Sequence, residues 1–163
     1  MPDKPTEALA KHSTSLPFVE AFYEPTTATM TYLVVDRASG EAVIIDPVLD
    51  FEQRSGRTAE RSLGLLGEAC RDLHVTAVIE THAHADHLSS APYLQAEIGG
   101  RTAIGRAIRT VQETFAKVFN EPASFARDGS QFGHLFADGE TFAIGDLPAI
   151  ALHVPGHTPA CMA

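Results

Sequence analysis

Apolar and polar residues alternate at the start of the chain, with the two-residue period of a half-buried β-strand. Residues 17–24 show this alternation, and residues 29–36 and 41–46 are rich in strand-forming side chains. Ser39-Gly40 lies between the last two runs, so these runs are predicted to form a β-hairpin. The hairpin is predicted to end at Asp46-Pro47, because proline has no amide hydrogen to donate to a neighbouring strand.

Farther along, stretches with helical spacing alternate with short apolar strands. Hairpin strands followed by alternating strands and helices are typical of a mixed sheet with helices packed against it, an α/β (α+β) fold. The predicted helices are residues 58–72, capped by Thr58, then Ser89 or Ser90 to Ile98, and 106–120; the predicted strands are 75–80, 102–104, 141–144 and 149–154, with a loop at 121–139.

The composition is that of a globular protein, with 44% hydrophobic and 20% charged residues. A net charge of −9 argues against nucleic acid as the partner, because phosphate binding needs clustered Lys and Arg. No apolar run approaches the length of a membrane span, and the polar residues 1–16 lack the apolar core of a signal peptide. We therefore predict a cytoplasmic protein with no membrane partner, consisting of a flexible leader, 1–16, and one domain, 17–163.

Two cysteines are too few for a disulfide scaffold. Cys70 lies in an apolar helical pattern and is predicted to be a small core residue. Cys161 follows His157 by four residues and could lie near a site, but a structural role is favoured for it.

Four side chains that can bind a metal ion fall within six residues, directly after the predicted strand 75–80. They are His82, His84, Asp86 and His87. A fifth candidate, His157, ends a second apolar strand in a Pro-Gly-His turn. Each histidine alone would more often be structural, but this number of ligand types at two strand ends predicts a metal site that suits zinc or iron.

The run His82-x-His84-x-Asp86-His87 and the Pro-Gly-His-Thr run at His157 resemble the metal-binding motifs of the metallo-β-lactamase superfamily. With Ile45-Asp46-Pro47, they look like its glyoxalase II-like branch, and most like persulfide dioxygenases. Ser89-Ser90 stands where true glyoxalase II enzymes usually have Gly-Gly. The resemblance implies the αββα sandwich of this superfamily, of which the chain would be the N-terminal portion.

The resemblance also implies a ligand set. His82, His84 and His157 match the first metal position, while Asp86 and His87 match the second position of two-metal members; Asp86 is also the candidate catalytic residue. In persulfide dioxygenases, two histidines that match His82 and His157 hold one iron(II) with a carboxylate, and the other three side chains would form hydrogen bonds nearby. Asp46 matches a position that orients a ligand imidazole, although a plain turn residue before proline is an equal alternative.

The family's later elements include a metal-bridging aspartate and a further histidine. They come after the Pro-Gly-His motif, and no residue between His157 and Ala163 matches them. We therefore expect the chain to be C-terminally truncated relative to the family.

Three functions stay open at this point. The first is oxidation of glutathione persulfide to sulfite with one Fe(II) per site. The second is hydrolysis of a thioester or ester with one or two Zn(II), as in glyoxalase II or lactonases. The third is an inactive metal-binding fragment. The expected partner is a small-molecule thiol substrate, glutathione persulfide or a thioester, and a homo-oligomer is left open.

Overall fold

The computed structural model describes residues 16–163, so nearly all of the predicted leader lies outside the described residues. The described part contains eleven β-strands and three α-helices. In chain order they are β1 (Phe18–Glu24), β2 (Thr29–Asp36), β3 (Glu41–Ile45), β4 (Val48–Glu52), β5 (Arg57–Ala59), α1 (Arg61–Ala69), β6 (His74–Glu80), β7 (Leu88–Ser89), α2 (Ala91–Ile98), β8 (Arg101–Gly105), α3 (Ile108–Val118), β9 (His134–Phe136), β10 (Glu140–Ile144) and β11 (Leu147–Ala151).

Six strands form one mixed sheet in the order β1-β2-β3-β6-β8-β9. The first three are antiparallel, and β3, β6, β8 and β9 are parallel. The predicted hairpin is confirmed as β2 and β3, which are joined by a turn where Gly40 has a φ of 76° that glycine adopts without strain. The predicted mixed sheet is also confirmed, as are the second and third helices to within about two residues, the usual uncertainty of helix ends.

The sheet is covered on both faces at β3. Ile44 of β3 packs with Leu66 of α1 and Leu94 of α2 on one face. Val43, the neighbouring residue, packs with Ile144 and Leu147 of the β10–β11 hairpin on the other face. A strand buried on both sides reads as a continuous apolar run, which explains the Ala-Val-Ile-Ile stretch of β3.

The predicted start of the first helix at Thr58 is wrong. Thr58 lies in β5, which pairs with β4, and α1 begins at Arg61. The carboxylate of Asp50 in β4 accepts hydrogen bonds from the backbone N–H of Ser62 (2.7 Å) and from its hydroxyl (2.8 Å). A carboxylate from a neighbouring strand thus satisfies the first helical turn, and no local cap is required.

Strands β4, β5, β7 and β9 were not predicted. The first three form a small separate sheet, and β9 lies in the predicted loop 121–139. β9 has three residues and pairs in parallel with β8, with His134 opposite Ala103. Three residues are too few to show a period. The pairing partner lies 31 residues earlier in the chain, so no local pattern marks this strand.

The turn between β10 and β11 is attached to the end of β2 by a buried carboxylate. Asp36 accepts hydrogen bonds from the backbone N–H of Asp146 (2.9 Å), the hydroxyl of Ser39 (2.8 Å) and the backbone N–H of Ala38 (3.0 Å). These bonds, with the one from Asp146 first, hold the pKa of Asp36 below its usual range.

Asp36→Asn should therefore make the free energy of unfolding less dependent on pH in the acidic range. Because the folded-state pKa of Asp36 is lowered, its contribution is complete above the unfolded pKa of about 4 and is lost as pH falls through the folded value. We expect the urea midpoint of Asp36→Asn to lie below that of the parent at pH 6, and the gap to close as the pH falls below about 4. A gap of constant size down to pH 2 would contradict this account.

Cys70 is buried at the end of α1, in agreement with its predicted core role. Burial, with a smaller effect of the charge of Glu20, raises the pKa of its thiol to about 11. Because the thiolate is the reactive form, a Cys161→Ser chain should react with iodoacetamide at pH 8 at least about 100-fold more slowly when folded than in urea. Mass spectrometry of timed samples measures both rates, and fast labelling of the folded chain would contradict the assignment.

Within residues 16–163, no helix is long and apolar enough to cross a membrane.

Candidate metal centre

The centre lies where β3 and β6 end side by side. These strands are parallel, and Ile45 at the end of one pairs with Ile79 near the end of the other. The residues that follow therefore meet at one edge of the sheet: Asp46 after β3, and the histidine-rich loop of residues 81–87 (the histidine loop) after β6. Loops at strand ends are places where a rigid sheet presents functional side chains.

Asp46 fixes the start of the histidine loop. Its Oδ1 accepts the backbone N–H of Thr81 and its Oδ2 accepts the Thr81 hydroxyl, both at 2.7 Å. Asp46 has a φ of 52°, an uncommon value for a residue other than glycine, which turns the chain before Pro47. Asp46 is therefore a turn residue whose carboxylate also holds the histidine loop and contacts an imidazole, with Oδ1 lying 3.1 Å from Nε2 of His84.

The rings of His84 and His157 both lie next to the ring of His82. The ring centre of His82 lies 4.0 Å from that of His84 and 4.9 Å from that of His157. The Nδ1 of His82 lies 2.9 Å from the hydroxyl of Thr81, while its Nε2 is buried without a hydrogen-bond partner among the described residues. Burial, followed by the charge of His84, lowers the pKa of His82, which favours the neutral ring that a metal ligand requires.

His157 reaches this place through the last segment of the chain. The backbone N–H of Met162 donates to the carbonyl of Thr81 at 2.9 Å, which ties the segment to the histidine loop. Cys161 is buried, and its sulfur accepts the backbone N–H of Thr158 at 3.2 Å. This contact shapes the turn after His157 and is consistent with the structural role predicted for Cys161.

His84 lies between two carboxylates. Its Nε2 is 3.1 Å from Asp46 Oδ1 and 3.2 Å from Glu80 Oε2, but only the contact with Asp46 has hydrogen-bond geometry. Burial lowers the pKa of His84, and the two carboxylates outweigh this and raise it to about 9. Hydrogen bonding of Nε2 to Asp46 leaves Nδ1 as the nitrogen of His84 that could hold a metal ion, and binding there would displace the proton that Nδ1 carries in the metal-free ring.

His87 and Asp86 form the other side of the centre. The ring of His87 is buried, and its centre lies 4.0 Å from that of His84. One possible ligand atom each from His84, Asp86 and His87 lie within 4.8 Å of one another. The Nε2 of His87 is buried without a hydrogen-bond partner among the described residues, whereas the side chain of Asp86 is 55% exposed.

Sequence reasoning missed Glu80 and Thr29. Glu80 is buried, burial raises its pKa, and its Oε1 accepts a hydrogen bond from the Ser89 hydroxyl. A glutamate that ends an apolar strand directly before the histidine loop was a usable signal for Glu80. The hydroxyl of Thr29 lies 3.3 Å from Nδ1 of His87, but the two residues are 58 positions apart. No local pattern in the sequence marks this contact.

The donor set fits a metal ion. Two imidazole nitrogens, Nε2 of His82 and Nε2 of His87, are buried without a partner. A buried polar atom without a hydrogen bond is costly and rare, and a metal ion bound to either nitrogen would satisfy it. Imidazole and carboxylate ligands suit zinc and iron, so His82, His84, His157, Asp86 and His87 remain the predicted ligands.

A cavity of about 240 Å³ opens beside these rings. Histidines 82, 84 and 87 line one side, and Pro92, Ile104 and Phe132 contribute apolar surface. A concave site with a few polar groups and apolar walls is typical of a small-molecule site.

Comparison with known proteins identifies the family. The model of the metallo-beta-lactamase superfamily matches residues 25–163. The chain belongs to this superfamily. This match confirms the superfamily that the histidine motifs resemble and the predicted mixed α/β fold. The site described above lies wholly within the matched residues.

Several curated relatives match. A "Probable metallo-hydrolase" of Burkholderia pseudomallei is 51% identical over 88% of this chain and 50% of its own length. "Glyoxylase B2" of Dictyostelium discoideum is 40% identical over 88% of this chain and 50% of its own length, and human "Persulfide dioxygenase ETHE1" is 31% identical over 86% and 44%. The chain therefore spans half or less of the length of these relatives.

Among solved structures, ETHE1 from Myxococcus xanthus superposes with a TM-score of 0.61 at 26% identity, over 89% of this chain and 52% of that one. The relatives named as persulfide dioxygenases and as a glyoxylase agree with the branch that the motifs resemble.

Proposed function

We propose that this metal centre serves the oxidation of glutathione persulfide to sulfite, with His82 and His157 holding a single iron(II). One observation carries the proposal: the unpartnered, buried Nε2 of His82 lies beside the ring of His157, while Nε2 of His84 is engaged by Asp46. His82 and His157 would supply two imidazoles, His84 would remain a hydrogen-bonding neighbour, and a carboxylate would complete the two-histidine, one-carboxylate iron site of oxygenases.

In this reaction one persulfide, one dioxygen and one water give one glutathione, one sulfite and two protons. Bound iron(II) would supply open coordination positions for the persulfide sulfur and for dioxygen. The residues of this chain would orient the rings and the substrate. Asp46 holds the histidine loop, and the cavity beside the rings offers apolar surface to the peptide-like thiol.

Similarity to relatives supports the same proposal. A human protein 31% identical to this chain carries the name persulfide dioxygenase. The cytoplasmic location, a homo-oligomer and a single domain at 17–163 stay predictions from the sequence.

The second candidate is a zinc-dependent hydrolase of glutathione thioesters or lactones. Two observations favour it: the close grouping of His84, Asp86 and His87, and the free Nε2 of His87, which could hold a second metal ion. Zinc would lower the pKa of a bound water to about 7 and polarise the ester carbonyl. Asp86 would then be a ligand and the candidate catalytic residue.

Metal loading and turnover separate these candidates. The metal-free chain is loaded anaerobically with iron(II), and iron content, dioxygen uptake and sulfite are measured with glutathione persulfide. When the carboxylate that the two histidines need is supplied, as in a full-length relative, we expect one iron per chain and equal amounts of dioxygen consumed and sulfite formed. A zinc-loaded chain that hydrolyses a glutathione thioester, with no sulfite from the iron form, would support the hydrolase. Metal binding without either reaction would support a metal-binding fragment.

A further inference from the structure

A row of hydrogen-bonding side chains connects the buried carboxylate of Glu24 with the metal centre. Glu24 Oε2 lies 2.8 Å from the hydroxyl of Thr27, which lies 2.9 Å from the hydroxyl of Thr29. The hydroxyl of Thr29 lies 3.3 Å from Nδ1 of His87. The row is built on the β1–β2 hairpin, in which Glu24 and Thr29 are directly paired across the turn.

The direction of each hydrogen bond follows from the end of the row. Glu24 accepts the backbone N–H of Thr26 on Oε1 (2.9 Å) and that of Thr27 on Oε2 (2.7 Å), so both of its oxygens act as acceptors. Burial raises the pKa of Glu24, but these bonds outweigh it and bring the pKa to about 2. Glu24 is therefore an ionised carboxylate, which can only accept hydrogen bonds.

Each hydroxyl can donate only one hydrogen bond, so the direction of one bond determines the direction of the next bond in the row. The hydrogen of Thr27 is given to Glu24, and its oxygen must accept from Thr29. The hydrogen of Thr29 is thereby used, and its oxygen must accept from His87. Nδ1 of His87 then carries a hydrogen, and in a neutral ring Nε2 has none.

We propose that Glu24, acting through Thr27 and Thr29, holds His87 in the tautomer that presents an unprotonated Nε2 to the metal centre. Glu24, Thr27 and Thr29 are positioning residues, since only His87 faces the centre. The inference rests on the metal centre proposed above, but not on its reaction or on the identity of its metal. It accounts for the otherwise unpartnered, buried Nε2 of His87, which is free to accept a metal ion.

Two charged side chains lie near the ends of this row. Asp86 Oδ2 lies 3.5 Å from the same Nδ1, but its side chain is 55% exposed, whereas the side chain of His87 is fully buried. Arg61 lies 3.8 Å from Glu24 and is 65% exposed, so it does not replace the shorter bonds that Glu24 accepts. Asp86 would favour the same tautomer, and the test must therefore separate it from Thr29.

Nitrogen-detected imidazole spectra of the metal-free chain at pH 8 read the tautomer directly, because protonated and unprotonated ring nitrogens have well-separated resonances. The parent should show a hydrogen on Nδ1 of His87. Thr29→Val, which keeps the shape and removes the hydroxyl, should shift His87 towards the tautomer protonated on Nε2. Thr29→Ser should restore the parent pattern.

Matched controls separate the row from other effects. Thr31→Val removes another buried hydroxyl of β2, one that donates to the carbonyl of Asp46, and should leave the His87 tautomer unchanged. Asp86→Ala should also leave it unchanged. If Thr29→Val does not fold, Thr27→Val breaks the row one step farther from the ring and should shift the tautomer in the same direction.

A parent spectrum with the hydrogen on Nε2 would overturn the proposal. So would an unchanged tautomer in the folded Thr29→Val or Thr27→Val chain, or a shift caused by Asp86→Ala alone. Because no metal or substrate is present in these measurements, they are unaffected if the proposed persulfide reaction proves wrong.

Discussion

His82→Ala is expected to remove metal binding at the first position. Nε2 of His82 is a buried ligand atom that has no hydrogen-bond partner among the described residues, and its ring lies beside that of His157. Alanine has no atom that could replace it. Loss of a hydrogen-bonding neighbour typically weakens metal affinity about 10–100-fold, and loss of a direct ligand should exceed that range. Titration of the metal-free chain with zinc or iron(II) against a competing chelator measures the change.

The comparison with other variants tests the ligand assignment. His74→Ala is the matched control, because the side chain of His74 is 76% exposed at the start of β6, at the opposite end of the strand from the histidine loop. It should bind metal like the parent. In the single-iron assignment Asp86→Ala and His87→Ala should each lose less affinity than His82→Ala. Complete and equal loss in all three would favour the two-metal hydrolase.

Leu94→Ala should produce a large loss of stability. Leu94 is fully buried, on α2, in the cluster that joins the helices to the six-stranded sheet. Removal of a buried leucine side chain loses its transfer free energy and leaves a cavity, at a cost of about 2.7–5 kcal/mol in comparable cores. Urea unfolding followed by circular dichroism gives the free energy of unfolding.

Leu65→Ala is the control for that experiment. Leu65 lies on α1 and is 56% exposed, so the same chemical change should alter the free energy of unfolding by no more than about 0.5 kcal/mol. A loss below about 1 kcal/mol for Leu94→Ala would show that α2 does not contribute to the core as its burial indicates.

The strands that carry the centre could be predicted because their signals are local. The Ala-Val-Ile-Ile run of β3 and the apolar run of β6 are short and bounded by turn or ligand residues. The histidine loop could be predicted for the same reason, since His82, His84, Asp86 and His87 are neighbours in the chain. In both cases the informative residues belong to a single strand or a single loop.

The start of α1 shows where such reasoning fails. Thr58 has the chemistry of a helix cap, but Asp50 of β4 satisfies the first turn instead, and Thr58 joins a strand. The choice between the two depends on where β4 lies relative to the helix. No local pattern contains that information.

The sequence by itself determined which residue types are available to a metal ion and at which strand ends they occur. The tertiary structure decided how each ring is held: Asp46 engages Nε2 of His84, and Thr29 contacts Nδ1 of His87. These contacts join residues 38 and 58 positions apart. A hydrogen bond forms only if the distance between its two atoms is correct to within a few tenths of an ångström. Sequence spacing constrains only residues that are neighbours in the chain. The orientation of the rings therefore follows from the packing of the strands that carry them.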